Sequence, residues 1–113
     1  GRILITYRFM QGGKGWLGSW TQNTFGALMP PESAVAINRS EQSARIFPID
    51  FDRSPAADLG YTGWVQFDDG EIYMVDYIVD DAPKAQIRAS SFRAERKNER
   101  IQRDFYGAPD AVR

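Results

Sequence analysis

The side chains of this sequence that are able to do chemistry are 15 Asp and Glu, 14 Lys and Arg, five Tyr and the hydroxyls, with no Cys and no His. Without Cys there is no disulfide framework, thiol nucleophile or thiolate metal site. Without His there is no Ser-His-Asp triad, no imidazole base and no ordinary zinc site. Any catalysis must use carboxylates, Tyr, Lys, Arg or hydroxyls. Asp76 interrupts the apolar run around Ile72–Val79. A carboxylate in such a run must be paired or lie in a cleft, which makes Asp76 a candidate ligand-facing acid. Asp68 and Asp69 read as turn residues. Taken with Asp80 and Asp81, their spacing matches no calcium loop, so no metal site and no cofactor is expected. The run Gly12-Gly13-Lys14-Gly15 lacks the Gly-Lys-Ser/Thr ending and the following helix of a phosphate loop. Trp16, Trp20 and Phe25 lie in one long connecting stretch. They would either stack on sugar rings or cover a sheet face or a subunit contact. The net charge of −1 gives no basic field to attract nucleic acid, and no apolar run approaches a membrane span.

These residues need elements to position them. Residues 2–9 are rich in β-branched and aromatic types and read as a strand, apolar on both faces. The stretch 16–32 has no helical period and reads as a loop or extension, of the kind that is functional or forms a partner surface. Further strands are expected at 34–38 and 44–49, the latter at an edge or bulge because of Pro48. The strongest local signal is Gly63–Phe67, an Asp68-Asp69-Gly70 hairpin turn, and the return strand Glu71–Val79. A third strand at 85–92 completes a meander. The charged tail 94–105 reads either as a short helix docked by Ile101 and Phe105, or as a frayed tail.

The strands also repeat. Residues 1–9 align with 70–78, Gly1 on Gly70 and Ile3 on Ile72, with apolar residues matching at most other positions. Self-similar strand groups, apolar on both faces, suit a propeller, whose blades are buried on both sides. On this numbering the first blade lacks its inner strand and the last lacks its outer one. Two incomplete blades cannot bury both faces of each sheet alone. The chain is therefore expected to be part of a longer chain or to form a homo-oligomer, three copies closing a six-bladed ring.

The segment Asp58-Leu59-Gly60-Tyr61 through Tyr77, with its inner strand and Asp-Gly turn, resembles the last blade of sialidase-like six-bladed propellers. The resemblance spans residues 1–93. That family's Asp-box hairpin is matched only in degenerate form by Ser40 to Phe47: Ser40 and Phe47 fit, while Gln42, Ala44 and Ile46 do not. The resemblance implies that Tyr61 stands where the family's nucleophilic Tyr is expected, a neutral phenol that approaches an anionic sugar without charge repulsion. It also implies that Arg8 is a carboxylate-binding Arg acting through a bidentate pair. The early blades, with the acid/base Asp and the other Arg positions, have no counterpart here.

The fold expected is all-β: antiparallel meanders from two incomplete blades over residues 1–93, followed by the charged tail 94–113 with a short C-terminal helix. The function expected is glycoside hydrolase-like carbohydrate binding, sialic-acid-like in substrate class, using Tyr61, Arg8, Asp76, Trp16 and Trp20. This chain alone is not expected to hydrolyse. The alternative is a non-catalytic interaction or assembly module that uses the aromatic loop 10–31. Neither nucleic acid nor a membrane is expected as a partner.

Overall fold

The computed structural model describes residues 1–12 and 21–94, together with the backbone of 101–106. The chain is all-β and antiparallel. Strands β1 (Ile3–Gln11), β2 (Thr21–Met29) and β3 (Arg45–Asp52) form a first sheet in that order. Strands β4 (Gly60–Gln66), β5 (Ile72–Ile78), β6 (Gln86–Ala94) and β7 (Ile101–Tyr106) form a second. Each sheet is a simple meander, in which chain neighbours are also spatial neighbours.

The hairpin between β4 and β5 turns as its residues dictate. Gly70 sits at φ 89, the Gly70 N–H donates to the Phe67 carbonyl, and the Asp69 carboxylate caps the Glu71 N–H. Pro48 lies on the edge strand β3, opposite a register shift between Thr24 and Phe25, as a residue without an N–H requires.

Three expectations are corrected. The stretch 16–32 contains a strand, β2, paired directly with β1 from Ile3↔Met29 to Gln11↔Thr21. Its polar residues Gln22 and Thr24 hid it, because they point inward and are buried there at 6% and 0% exposure. Residues 34–38 are not a strand. Pro31 opens a single helical turn (α1, Pro31–Ala34), and Val35 and Ile37 beyond it are exposed. The C-terminal helix is replaced at 101–106 by β7, which pairs with β6 from Ala94↔Ile101 to Ala89↔Tyr106. A lone short helix is marginal in water, whereas the free edge of β6 offers backbone partners. Among the described residues the second sheet therefore has four strands and the first three.

The two sheets pack face to face. At one end Leu28, Phe47 and Ile49 of the first sheet meet Ile72, Met74 and Phe92 of the second, with Leu4 and Ala94 alongside. The Phe47 and Phe92 rings meet edge-on at 5.7 Å. At the other end the layer between the sheets is polar and charged, and it is there that the candidate site residues collect.

Candidate functional site

Arg8 is near the end of β1 and Tyr61 near the start of β4, in different sheets. The structure brings them together. The Arg8 guanidinium carbon lies 5.8 Å from the centre of the Tyr61 ring, within cation–π range. Arg8 Nη1 donates to the Leu59 carbonyl at 3.0 Å and to Tyr77 Oη at 3.4 Å, and lies 4.0 Å from Asp58. Tyr77 Oη donates to Asp58 Oδ1 at 2.9 Å, and the Tyr61 and Tyr77 rings are 5.9 Å apart. Arg8, Asp58, Tyr61 and Tyr77 therefore make one cluster. Burial, reinforced by the Asp58 carboxylate that accepts its proton, pushes the Tyr77 hydroxyl above its ordinary pKa.

Local backbone shape makes the cluster possible. Gly60 lies so close to Arg8 that a Cβ on it would sit 3.0 Å from Nη1, so a larger residue would require the guanidinium to give by a few tenths of an ångström. The pairing of β4 with β5 shifts register between Gly60 and Gly63, and within that irregularity Tyr61 holds φ 49, a left-handed conformation costly for an aromatic residue. Its ring is thrown outward and is 84% exposed. Thr62, next along, is tied back to β1 by a 2.7 Å hydrogen bond between its hydroxyl and that of Thr6.

Asp76 is not part of this cluster. It points between the sheets at 3% exposure and accepts a 3.0 Å hydrogen bond from Thr24 Oγ1. Burial, with the charge of nearby Asp50, raises its carboxyl to about 7. Around it, Arg88 donates to Asp50 through Nη1 at 3.2 Å and to Asp80 through Nη2 at 2.8 Å. Arg53 grips Asp80 with Nε and Nη2 at 2.7 and 2.9 Å in a bidentate fork. Those bonds hold Asp80 well below the usual carboxylate range. Asp52, buried beside them, accepts the backbone N–H groups of Ser54, Asp58, Val79 and Asp80. One carboxylate thus ties the β3–β4 loop, including cluster member Asp58, to the end of β5.

Asp58, Tyr77 and Asp52 were given no role by sequence reasoning. Asp58 and Tyr77 stand in the very segment that carries the resemblance, which was their only signal. Asp52 has no local signature, because its four donors come from two separate loops. Trp16 and Trp20 lie outside the described residues. Phe25 packs on the outer face of the first sheet, stacked on Tyr7 at 6.1 Å and edge-on to Phe9 at 5.8 Å. Asp69 bonds to Arg93, and Asp80 to Arg53 and Arg88. Among the described residues no group of three or more acidic side chains is placed to hold a metal ion. A cavity of about 430 Å³ opens at the opposite, apolar end of the sheets, lined by Arg2, Leu4, Leu28, Trp64, Gln66 and Ile72 among others. It includes neither Arg8 nor Tyr61, so this open space and the Arg8–Tyr61 cluster do not coincide. No family model, curated protein or solved structure matches this chain.

Proposed function

We propose that the Arg8–Asp58–Tyr61–Tyr77 cluster binds an anionic sugar, of the sialic-acid class, without hydrolysing it. One observation carries the reading: Arg8 and Tyr61, both implied by the resemblance and 53 positions apart, lie side by side, with Tyr61 exposed in a strained backbone conformation. Strain of that kind clusters at ligand sites. An exposed aromatic ring offers the apolar face of a sugar a stacking surface, and the adjacent guanidinium offers its carboxylate a positive charge. Binding without turnover is favoured because, among the described residues, no carboxylate hydrogen-bonds the Tyr61 hydroxyl. A phenol without a base is a weak nucleophile.

Titration of the labelled protein with N-acetylneuraminic acid, followed by amide shifts, tests this. The expected result is saturable shifts at residues 58–62 and 77, lost in Tyr61→Ala and weakened about tenfold in Arg8→Lys, which keeps the charge but not the planar guanidinium. Shifts of equal size in wild type and Tyr61→Ala, or none with acidic sugars, would overturn it.

A further inference from the structure

Both outer faces of the stacked sheets are apolar. On the first sheet, Ile5, Phe9, Ile46 and Phe51 are 45%, 46%, 61% and 45% exposed. On the second, Val65, Val75 and Ile87 are 50%, 38% and 70% exposed. The register places no charged residue on the outer face of the first sheet between the strand ends; on that of the second it places Asp104 of β7, opposite Ser91, and Arg93 near the end of β6. An antiparallel sheet that ends in water normally alternates polar and apolar residues, and a lone exposed apolar patch marks an interaction surface.

The internal repeat says what that surface fits. Aligning Ile3 with Ile72 places Leu4, Thr6 and Arg8 on Tyr73, Val75 and Tyr77, and Ile5 and Phe9 on Met74 and Ile78. In β1 the first set faces the second sheet: Leu4 packs on the core and Thr6 bonds Thr62. In β5 Tyr73 and Val75, the equivalents of Leu4 and Thr6, face outward at 36% and 38% exposure, while Met74 and Ile78 are buried at 1% and 0%. The two sheets thus follow one another in the same sense, like successive steps of one stack, rather than facing each other as mirror partners. The outer face of the first sheet is the repeat-equivalent of a face already buried inside the chain. The outer face of the second is the equivalent of the face it is buried against. Together they form a complementary pair with no partner among the described residues.

We propose that copies of this chain associate head to tail, the outer face of the first sheet of one copy packing on the outer face of the second sheet of the next. Such a heterologous contact repeats the intramolecular one, and it closes as a ring when the rotation per copy divides a full turn. The pairing is directional: neither face is complementary to itself.

Two variants test that direction, each placing a charge on one face. Ile46→Asp blocks the first and Val75→Asp blocks the second. By native mass measurement, wild type is expected at three or more chains and each variant alone as a monomer. An equimolar mixture of the two variants is expected as a one-to-one pair, because each retains the one face the other lacks. A monomeric wild type would overturn the proposal. So would a variant that dimerises alone, which would mean a face paired with itself, or a mixture that stays monomeric. If either variant loses its β-sheet circular dichroism, Phe51→Lys and Ile87→Lys, further out on the same two faces, replace them in the same mixing experiment.

Discussion

The layer between the two sheets has two ends built on opposite principles. At one end Leu28, Phe47, Ile49, Ile72, Met74 and Phe92 exclude water by shape alone. At the other, Thr24, Asp50 and Asp76 meet Arg88, Asp80 and Arg53 through hydrogen bonds with fixed partners. The apolar end contributes stability in proportion to buried area and is indifferent to pH. The ionic end adds little net energy, because desolvation offsets attraction, yet it penalises any arrangement that leaves a charge unpaired. It holds four carboxylates, Asp50, Asp52, Asp76 and Asp80, against the guanidinium groups of Arg53 and Arg88, and Asp52 is satisfied by backbone N–H groups instead. Asp76 accepts from the Thr24 hydroxyl and has no guanidinium partner among the described residues. The charged end is also the end that carries Arg8, Asp58, Tyr61 and Tyr77. Groups that must be held at set angles sit where directional bonds set the geometry.

The largest test of this contrast is pH. The Asp76 carboxyl is raised to about 7 in the folded chain, against an unfolded value near 3.9. The stability linked to its proton is therefore full below about pH 4 and is lost as pH climbs to about 7. The slope is at most about 1.4 kcal/mol per pH unit. Asp50, also raised by burial, adds a slope of the same sign. Asp80, held low by Arg53, works the other way: its contribution is present above the ordinary Asp range and is lost as pH falls through its lower folded value. Urea midpoints should peak in mildly acidic solution. Asp76→Asn should flatten most of the decline toward neutral pH, and an undiminished slope in that variant would mean the titrating group lies elsewhere.

Next in size is Asp52→Ala, which strands four backbone donors at the ionic end. It should cost about 3 kcal/mol or more by chemical unfolding, since each lost bond to a charged acceptor is substantial. It should also release Asp58 and broaden the amide signals of residues 58–62. Met74→Ala, at the apolar end, should cost a similar amount, about 3 kcal/mol, because Met74 is 1% exposed. Its cost should not change with pH and should leave the Tyr61 region undisturbed. Unchanged amide signals at residues 58–62 in Asp52→Ala would erase the distinction between the two ends. Smallest is Tyr61→Gly, which should raise stability by up to about 1 kcal/mol by relieving the left-handed backbone, while removing the sugar-stacking ring. A loss of stability would show that the ring is held for packing rather than for a ligand.

Much of the fold was legible where the code is local. The hairpin at 68–70 follows from Asp-Gly turn chemistry, β1, β3, β5 and β6 from runs of β-branched and aromatic residues, and the doubly apolar sheets from the repeat. The misread segments share a cause. β2 is a strand whose inward residues Gln22 and Thr24 are polar because they face the charged end of the other sheet, so its burial pattern is inverted at that end. β7 was read from its own composition, while its conformation answers to the free edge of β6. At the site, Arg8 and Tyr61 were named in advance from resemblance. Asp76 was named from its odd place in an apolar strand, and the structure puts it between the sheets and away from them.

What the sequence determined by itself was therefore the chemistry allowed and the material of the fold. It supplies no thiol and no imidazole, a set of turns, and strands apolar on both sides that repeat. These are properties of residue types and their spacing, and they act over a few residues. Only the tertiary structure decided which strands share a sheet, which face of each is inside, and which carboxylates meet which guanidinium groups. Those outcomes depend on contacts between residues dozens of positions apart, such as Arg8 with Asp58 and Thr24 with Asp76. No local pattern encodes them, because a buried charge is stable only where the rest of the chain delivers its partner.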